Sequence, residues 1–220
     1  MVLKHILGND EEYPHCVAWL RQRQVQNKLV KEELLTEQEA IKIIAHCKNL
    51  RDKAIVNLLF EGGMKMGELL NIKMQDINLL TQPAHIRLDG KTGVRQIGIV
   101  TSKRALMEYL GTVKGLKPDE VIWKGDTRYN LGMPVSNDAV RSAIMKAAKA
   151  AGITKRVNPH SFRHASATIN AKHLTEMELK KYYGWSARST MTGTYVHLAD
   201  EDIDDAILKK NGMEILEVSL

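Results

Sequence analysis

His160 and Arg163 stand three residues apart, directly after Asn158-Pro159. A proline there opens a helix, and residues at i and i+3 share a helix face. The pair therefore brings two cationic donors and a set of free backbone N–H groups to one helix N-terminus, where an anion is favoured. Arg163 offers a planar fork to two phosphate oxygens, and His160 offers one directed hydrogen bond. Two other residues would complete a reaction on such a phosphate. Lys91, in the glycine-flanked turn Asp89-Gly90-Lys91-Thr92-Gly93, can reach a leaving oxygen and donate a proton. Tyr195 supplies a hydroxyl nucleophile able to form a covalent intermediate. A phosphodiester needs both kinds of help, because its charge repels nucleophiles and its departing alkoxide is a poor leaving group. Phosphodiester cleavage is the chemistry this set would do.

Each residue also has an ordinary reading. A tyrosine in an amphipathic helix is commonly core, and Lys-Thr-Gly is commonly only a soluble turn. His160 and His164 have the i,i+4 spacing of zinc-binding histidines, but no Glu follows His160 and no carboxylate lies near in sequence. No metal and no other cofactor is expected. Cys16 and Cys47 have no ligand spacing and read as structural thiols. The chain lacks a run approaching the ~18 apolar residues of a membrane span, and its N-terminal segment does not read as a signal peptide. A cytoplasmic protein with no membrane partner is expected. Lys and Arg number 32 against 26 Asp and Glu, a net charge of +6. The distribution says more than the sum. No acid occurs between Asp138 and Glu176, a stretch that holds Arg141, Lys146, Lys149, Lys155, Arg156, Arg163 and Lys172. After Tyr195 the sign reverses, with Asp200, Glu201, Asp202, Asp204 and Asp205. A basic middle and an acidic tail suggest one face for a polyanion.

The elements that must carry these residues are mostly helical. Thr36-x-x-Glu39 is a capping box opening a helix to about Cys47, and Asp52 can cap a second helix stopped by Gly62-Gly63. Ile77, Leu79, Ile86, Leu88, Ile97, Ile99 and Val100 alternate roughly by two, which predicts a small antiparallel sheet with a hairpin tipped by Lys91. Helical patterns return at 102–110, 137–151 and 160–173. Thr175-x-x-Glu178 opens a short helix that Gly184 ends, one helix carries Tyr195, and one from about 200 to 210 closes the chain. The class is α+β, mainly helical. Residues 1–31 read as a short helical remnant or linker, 32–212 as one domain, and 213–220 as a tail.

The order of these residues resembles the tyrosine recombinase (phage integrase) family, its archaeal branch most. The motifs are Gly63-Met64-Lys65-Met66-Gly67-Glu68-Leu69, Gly90-Lys91-Thr92-Gly93-Val94-Arg95, Pro159-His160-Ser161-Phe162-Arg163-His164, Gly184-Trp185 and Thr194-Tyr195-Val196-His197. The resemblance implies that Tyr195 attacks the scissile phosphate of double-stranded DNA and becomes linked to its 3′ end. It implies that Arg163 and His160 stabilise the pentavalent phosphate, that Trp185 buttresses it by packing and an indole N–H bond, and that Lys91 protonates the departing 5′-hydroxyl. Arg141 and Arg95 are expected to bind DNA. Neither metal nor nucleotide is needed, since the bond energy is kept in the adduct.

Two departures matter. The family's first arginine is Lys65 here, which keeps the charge but loses the fork. Family members also usually clamp DNA with a separate N-terminal domain, for which residues 1–31 are too few. A partner protein supplying the second clamp, weak DNA binding or a truncated product each fit. Ile203, Ile207 and Leu208 form an apolar stripe that could dock on a second copy or on its own core. The expected activity is site-specific recombination. An inactive DNA-binding regulator and a type IB topoisomerase are the alternatives.

Overall fold

The computed structural model describes residues 33–90, 93–126, 128, 130–199 and 211. The helix expected within 1–31, the closing helix with its apolar stripe, and the tail at 213–220 lie outside these residues, as does Cys16. Thr36 and Glu39 form the expected reciprocal box. The Thr36 hydroxyl accepts from Glu39 N at 3.2 Å, and Glu39 Oε2 accepts from Thr36 N at 2.8 Å. Helix α1 (Glu37–Ala45) starts there and buries Ala40 and Ile43. Helix α2 (Leu50–Gly62) is capped by Asn49, whose Oδ1 accepts from Asp52 N at 2.7 Å. Asp52 was the expected cap. It lies inside the first turn instead and pairs with Arg51.

Helix α2 buries Ala54, Ile55, Val56, Leu58, Leu59 and Gly62. A helix apolar on most of its circumference belongs in the middle of a core. It packs against α4 (Ser102–Leu110), α5 (Asn137–Ala150) and α6 (Pro159–Asn170). The short α3 (Met66–Leu70) follows it, and α7 (Glu176–Tyr183) and α8 (Met191–Ala199) complete the helical part. Thr175 and Glu178 form the second expected box, and Gly184 ends α7 in the left-handed conformation, φ 62°.

The sheet is three-stranded and antiparallel, in the order β1 (Ile77–Asn78), β2 (Ala84–Gly90), β3 (Gly93–Ile99). Ile86 opposes Ile97 and Ala84 opposes Ile99, so Ala84, Ile86, Leu88, Ile97 and Ile99 form one buried face. Val100, read as part of that alternation, lies past the strand and is exposed. The stretch after α4, which has no readable period, is held to that helix by Trp123. Trp123 is fully buried, stacks on Tyr109 at 5.2 Å and donates its indole N–H to Leu69 O at 2.6 Å. No helix among the described residues is long and apolar enough to cross a membrane. Burial pushes the Cys47 thiol up to about 12, with Asp52 adding to it, so that cysteine is inert at neutral pH.

Glu61, at the end of α2, ties sheet and helices together. Its carboxylate accepts from Val100 N at 2.7 Å, Thr101 N at 3.0 Å, Ser102 N at 2.7 Å and the Ser102 hydroxyl. It thus caps α4, which has no side-chain cap of its own. Burial alone would raise the Glu61 pKa, but these bonds outweigh it and hold the group below the usual carboxylate value. Glu61→Ala is expected to lower stability by about 2–4 kcal/mol at neutral pH, measured as a lower urea midpoint. A depressed carboxylate stabilises above its unfolded value and loses that contribution as pH falls through its folded value. The difference between the two proteins should therefore shrink at pH below 4.5.

Candidate active site

Arg163 lies on the inward face of α6 and is 6% exposed. Its Nη1 donates to Gly63 O at 2.5 Å and its Nη2 to Tyr183 O at 2.7 Å. Both carbonyls come from helix ends, where unpaired C=O groups attract a cation. Gly63 caps α2 with φ 51°, and a Cβ there would meet Tyr183 Cε1 at 2.3 Å. Glycine is therefore required at 63, for conformation and for the close approach that fixes its carbonyl. A guanidinium has five N–H donors, so others remain for a ligand. Burial, together with the neighbouring Arg95 charge, lowers the Arg163 pKa, while Glu68, Tyr195 and Tyr183 oppose the shift. An arginine stays charged through such a shift.

Tyr195 comes to this arginine from α8. Three rings stack in series: Tyr183 on Trp185 with centroids 4.9 Å apart, and Trp185 on Tyr195 at 5.3 Å with planes 2° from parallel. The Arg163 guanidinium lies 5.1 Å from the Tyr183 centroid and 5.7 Å from that of Trp185. Gly184 makes this possible by ending α7 so that Trp185 folds back beside Tyr183. Tyr195 is 1% exposed, and its hydroxyl lies 2.6 Å from Nδ1 of His164. Burial pushes the phenol up to about 12, against the pull of Arg163. In the same pocket Tyr183 hydroxyl meets the Ser166 hydroxyl at 2.7 Å and accepts from Asn170 Nδ2 at 2.8 Å.

A second guanidinium stands beside the first. Arg95 Nη2 donates to Glu68 Oε2 at 2.8 Å, and its Nη1 donates to Tyr182 O. Tyr182 and Tyr183 thus offer successive carbonyls of the last α7 turn to two arginines. Glu68 is 4% exposed and also accepts from Lys65 N at 2.8 Å. Burial would raise its pKa, but Arg95, Lys65 N and Arg163 hold it below the usual value, so it is a carboxylate. Gly90 passes so close that a Cβ would meet Glu68 Oε1 at 2.9 Å. The tip of the hairpin, where Gly90 pairs with Gly93, therefore lies against Glu68.

The expected residues fall into distinct places. Arg163, Trp185 and Tyr195 are together. His160 is exposed in the first turn of α6, close enough to act on the charge of His164. The free N–H groups expected at that helix start are not free: Asn158 Oδ1 accepts from His160 N at 2.8 Å and Ser161 N at 3.2 Å. Lys65 is half-buried ahead of α3 and lines a hollow with Glu68, Asn71, Asp89 and Gly90. Lys91 lies outside the described residues, between the paired glycines 90 and 93. Arg95, expected to bind DNA, is held by Glu68 and Tyr182 O, and its side chain keeps 9% exposure. Arg141 is exposed on α5, at a hollow shared with Lys149, Lys155 and Arg156. Sequence reasoning gave no role to His164, Glu68 or Tyr183. The sequence signal for His164 is its place one turn after His160, a spacing that by itself suggests only a metal pattern.

The model of the phage integrase family matches residues 33–202. The chain belongs to the phage integrase family. A tyrosine recombinase XerA from Pyrococcus horikoshii is 30% identical over 185 residues, covering 83% of this chain and 62% of the relative. Other curated relatives are matched over just over half their length. Among solved structures, the crystal structure of XerA recombinase superposes with a TM-score of 0.65 at 22% identity, over 83% of this chain and 64% of that one. A lambda integrase tetramer bound to a Holliday junction superposes with a TM-score of 0.55 at 20% identity, over 74% of this chain and 47% of that one. The mainly helical phage integrase fold with its small antiparallel sheet is therefore the one read from the sequence, archaeal likeness included.

Proposed function

We propose that this chain cuts and rejoins double-stranded DNA as a site-specific recombinase, through a 3′-phosphotyrosyl intermediate on Tyr195. The observation that carries the reading is the convergence of Arg163, Trp185 and Tyr195 from three separate elements on one spot. Arg163 holds the phosphate with the donors its carbonyl partners leave over, and His160 adds a hydrogen bond from the helix start. Trp185 keeps the nucleophile and the guanidinium in register. Lys91, on the connection after Gly90, protonates the departing 5′ oxygen. Arg95 and Lys65 add positive charge beside Glu68, and Arg141 contributes with Lys149 and Arg156 to a salt-sensitive grip on the DNA backbone. Because Tyr195 is 1% exposed, a phosphate reaches its hydroxyl only when the Trp185 turn moves aside, with α8 still held on α6. A second copy of the chain on DNA, or a partner protein supplying another clamp, is the natural trigger. Such a protein works where the DNA is, in the cytoplasm of the cell.

The test is a pool of nicked duplexes with randomised cores, from which the released 5′ fragment diffuses away. Covalent protein–DNA complexes that survive denaturation support the reading. Retained DNA without any adduct favours a second reading, a DNA-binding regulator, to which the covered tyrosine and Lys65 point. Supercoil relaxation without strand exchange favours a topoisomerase. Lys65→Arg is expected to speed adduct formation by roughly 10- to 150-fold, the worth of one charge-assisted hydrogen bond of about 1.5–3 kcal/mol acting in the transition state. An unchanged rate would mean that the neighbouring Arg95 charge already does that work.

A further inference from the structure

Phenol ionisation is the step for which the proposed mechanism has no agent. We propose that His164, in contact with the Tyr195 hydroxyl, is the catalytic base that takes its proton during attack on the phosphate. This rests on the strand-transfer reading above and adds a residue to it.

The geometry singles out this histidine. Its Nδ1 is 2.6 Å from Tyr195 Oη, the reacting atom itself. The two rings are tilted by 32° with centroids 5.9 Å apart, so contact is made through the polar atoms and not by stacking. His160, one turn earlier, is exposed, and the structure gives it no bond to the tyrosine. The tautomer follows from the partner: a neutral phenol donates, so Nδ1 accepts and the ring proton is on Nε2. The charged and titratable groups bearing on His164 are His160 and Arg163 from its own helix and Tyr195 from α8. Burial first, then His160 and Arg163, lowers its pKa from 6.5, which keeps the imidazole neutral and able to accept at physiological pH. Phosphate entering beside Arg163 brings negative charge that favours the imidazolium as it forms.

The step balances. A lone pair on Tyr195 Oη forms the bond to phosphorus while the phenolic proton passes to His164 Nδ1. The bond from phosphorus to O5′ breaks, its electron pair leaves with O5′, and that oxygen takes a proton from the general acid. In resealing, the incoming 5′-hydroxyl attacks phosphorus and gives up its proton to the same group. The tyrosyl oxygen then leaves and recovers its proton from His164.

His164→Asn keeps an acceptor near the place of Nδ1 but cannot hold the proton. With the full chain and a nicked duplex selected from the random pool by wild type, its adduct formation is expected to slow by about 10²-fold or more. The wild-type rate should rise with pH through a value below 6.5 and then level off, because the base is lost as pH falls through its own pKa. The variant should lack that limb and climb steadily towards the phenol's value of about 12. Fluorinated tyrosines at position 195, which are more acidic, should rescue His164→Asn and help wild type much less. A merely structural histidine would give no such rescue. Wild-type adducts with an unaltered rate and pH profile in His164→Asn overturn the base alone. Absence of adducts from wild type overturns the strand-transfer reading, and the base with it.

Discussion

Tyr195→Phe is expected to reduce covalent attachment to DNA to background, a loss on the order of 10⁴-fold or more, while leaving DNA binding and the fold in place. Phenylalanine keeps the ring that stacks on Trp185 and removes only the hydroxyl that contacts His164. One hydrogen bond of that kind contributes about 0.5–1.5 kcal/mol, so the thermal midpoint should fall by a few degrees at most. The contrast is the informative part. A tyrosine present only as core would give the small stability change and no effect on chemistry, since attachment would then occur elsewhere or not at all. Gel shifts on the nicked duplex, run before and after denaturation, separate binding from attachment in one experiment.

Arg163 is expected to produce two different failures depending on its replacement. Arg163→Lys keeps a cation near Gly63 O and Tyr183 O but gives up the fork, and adduct formation should drop by about 10²–10³-fold, the range for losing a preorganised donor to a transition-state oxygen. Arg163→Ala should lose that activity and also destabilise the protein by about 2–5 kcal/mol, because two buried carbonyls are left without partners. Measuring urea midpoints beside cleavage rates resolves the two contributions. Equal rates for Arg163→Lys and wild type would mean that the guanidinium serves the fold and not the phosphate.

Local features of this fold were readable in advance, and long-range ones were not. Thr36 with Glu39 and Thr175 with Glu178 determine helix starts through bonds three residues long, so the chain's own order reveals them. Even at that range competition matters: Asn49 and Asp52 are both good caps, and the residue three places earlier reaches the N–H of the other. Asn158 likewise takes up backbone N–H groups at the start of α6 that the sequence alone leaves open to an anion. Of the candidate site, the motif residues were legible because their types and order are unusual together. The pairing of Arg95 with Glu68 was not, since it joins a strand to a helix across 27 positions and either residue alone looks like ordinary surface. His164 was visible in the sequence, but its role depends on the way α8 folds back onto α6, and no spacing within one helix encodes that. Trp123 and Tyr109 order a stretch without any period, through ring stacking that pattern reading cannot detect.

Locating the DNA adduct on the chain itself bears most directly on the proposed strand transfer. Wild-type protein trapped on the selected nicked duplex would be digested with protease and nuclease, and the nucleotide-bearing peptide identified by mass spectrometry. The expected peptide carries a 3′-phosphonucleotide on Tyr195, and its yield should vanish in Tyr195→Phe and fall in Arg163→Lys. A nucleotide on any other residue, or an adduct that persists in Tyr195→Phe, would contradict the assignment of the pocket formed by α6, α7 and α8.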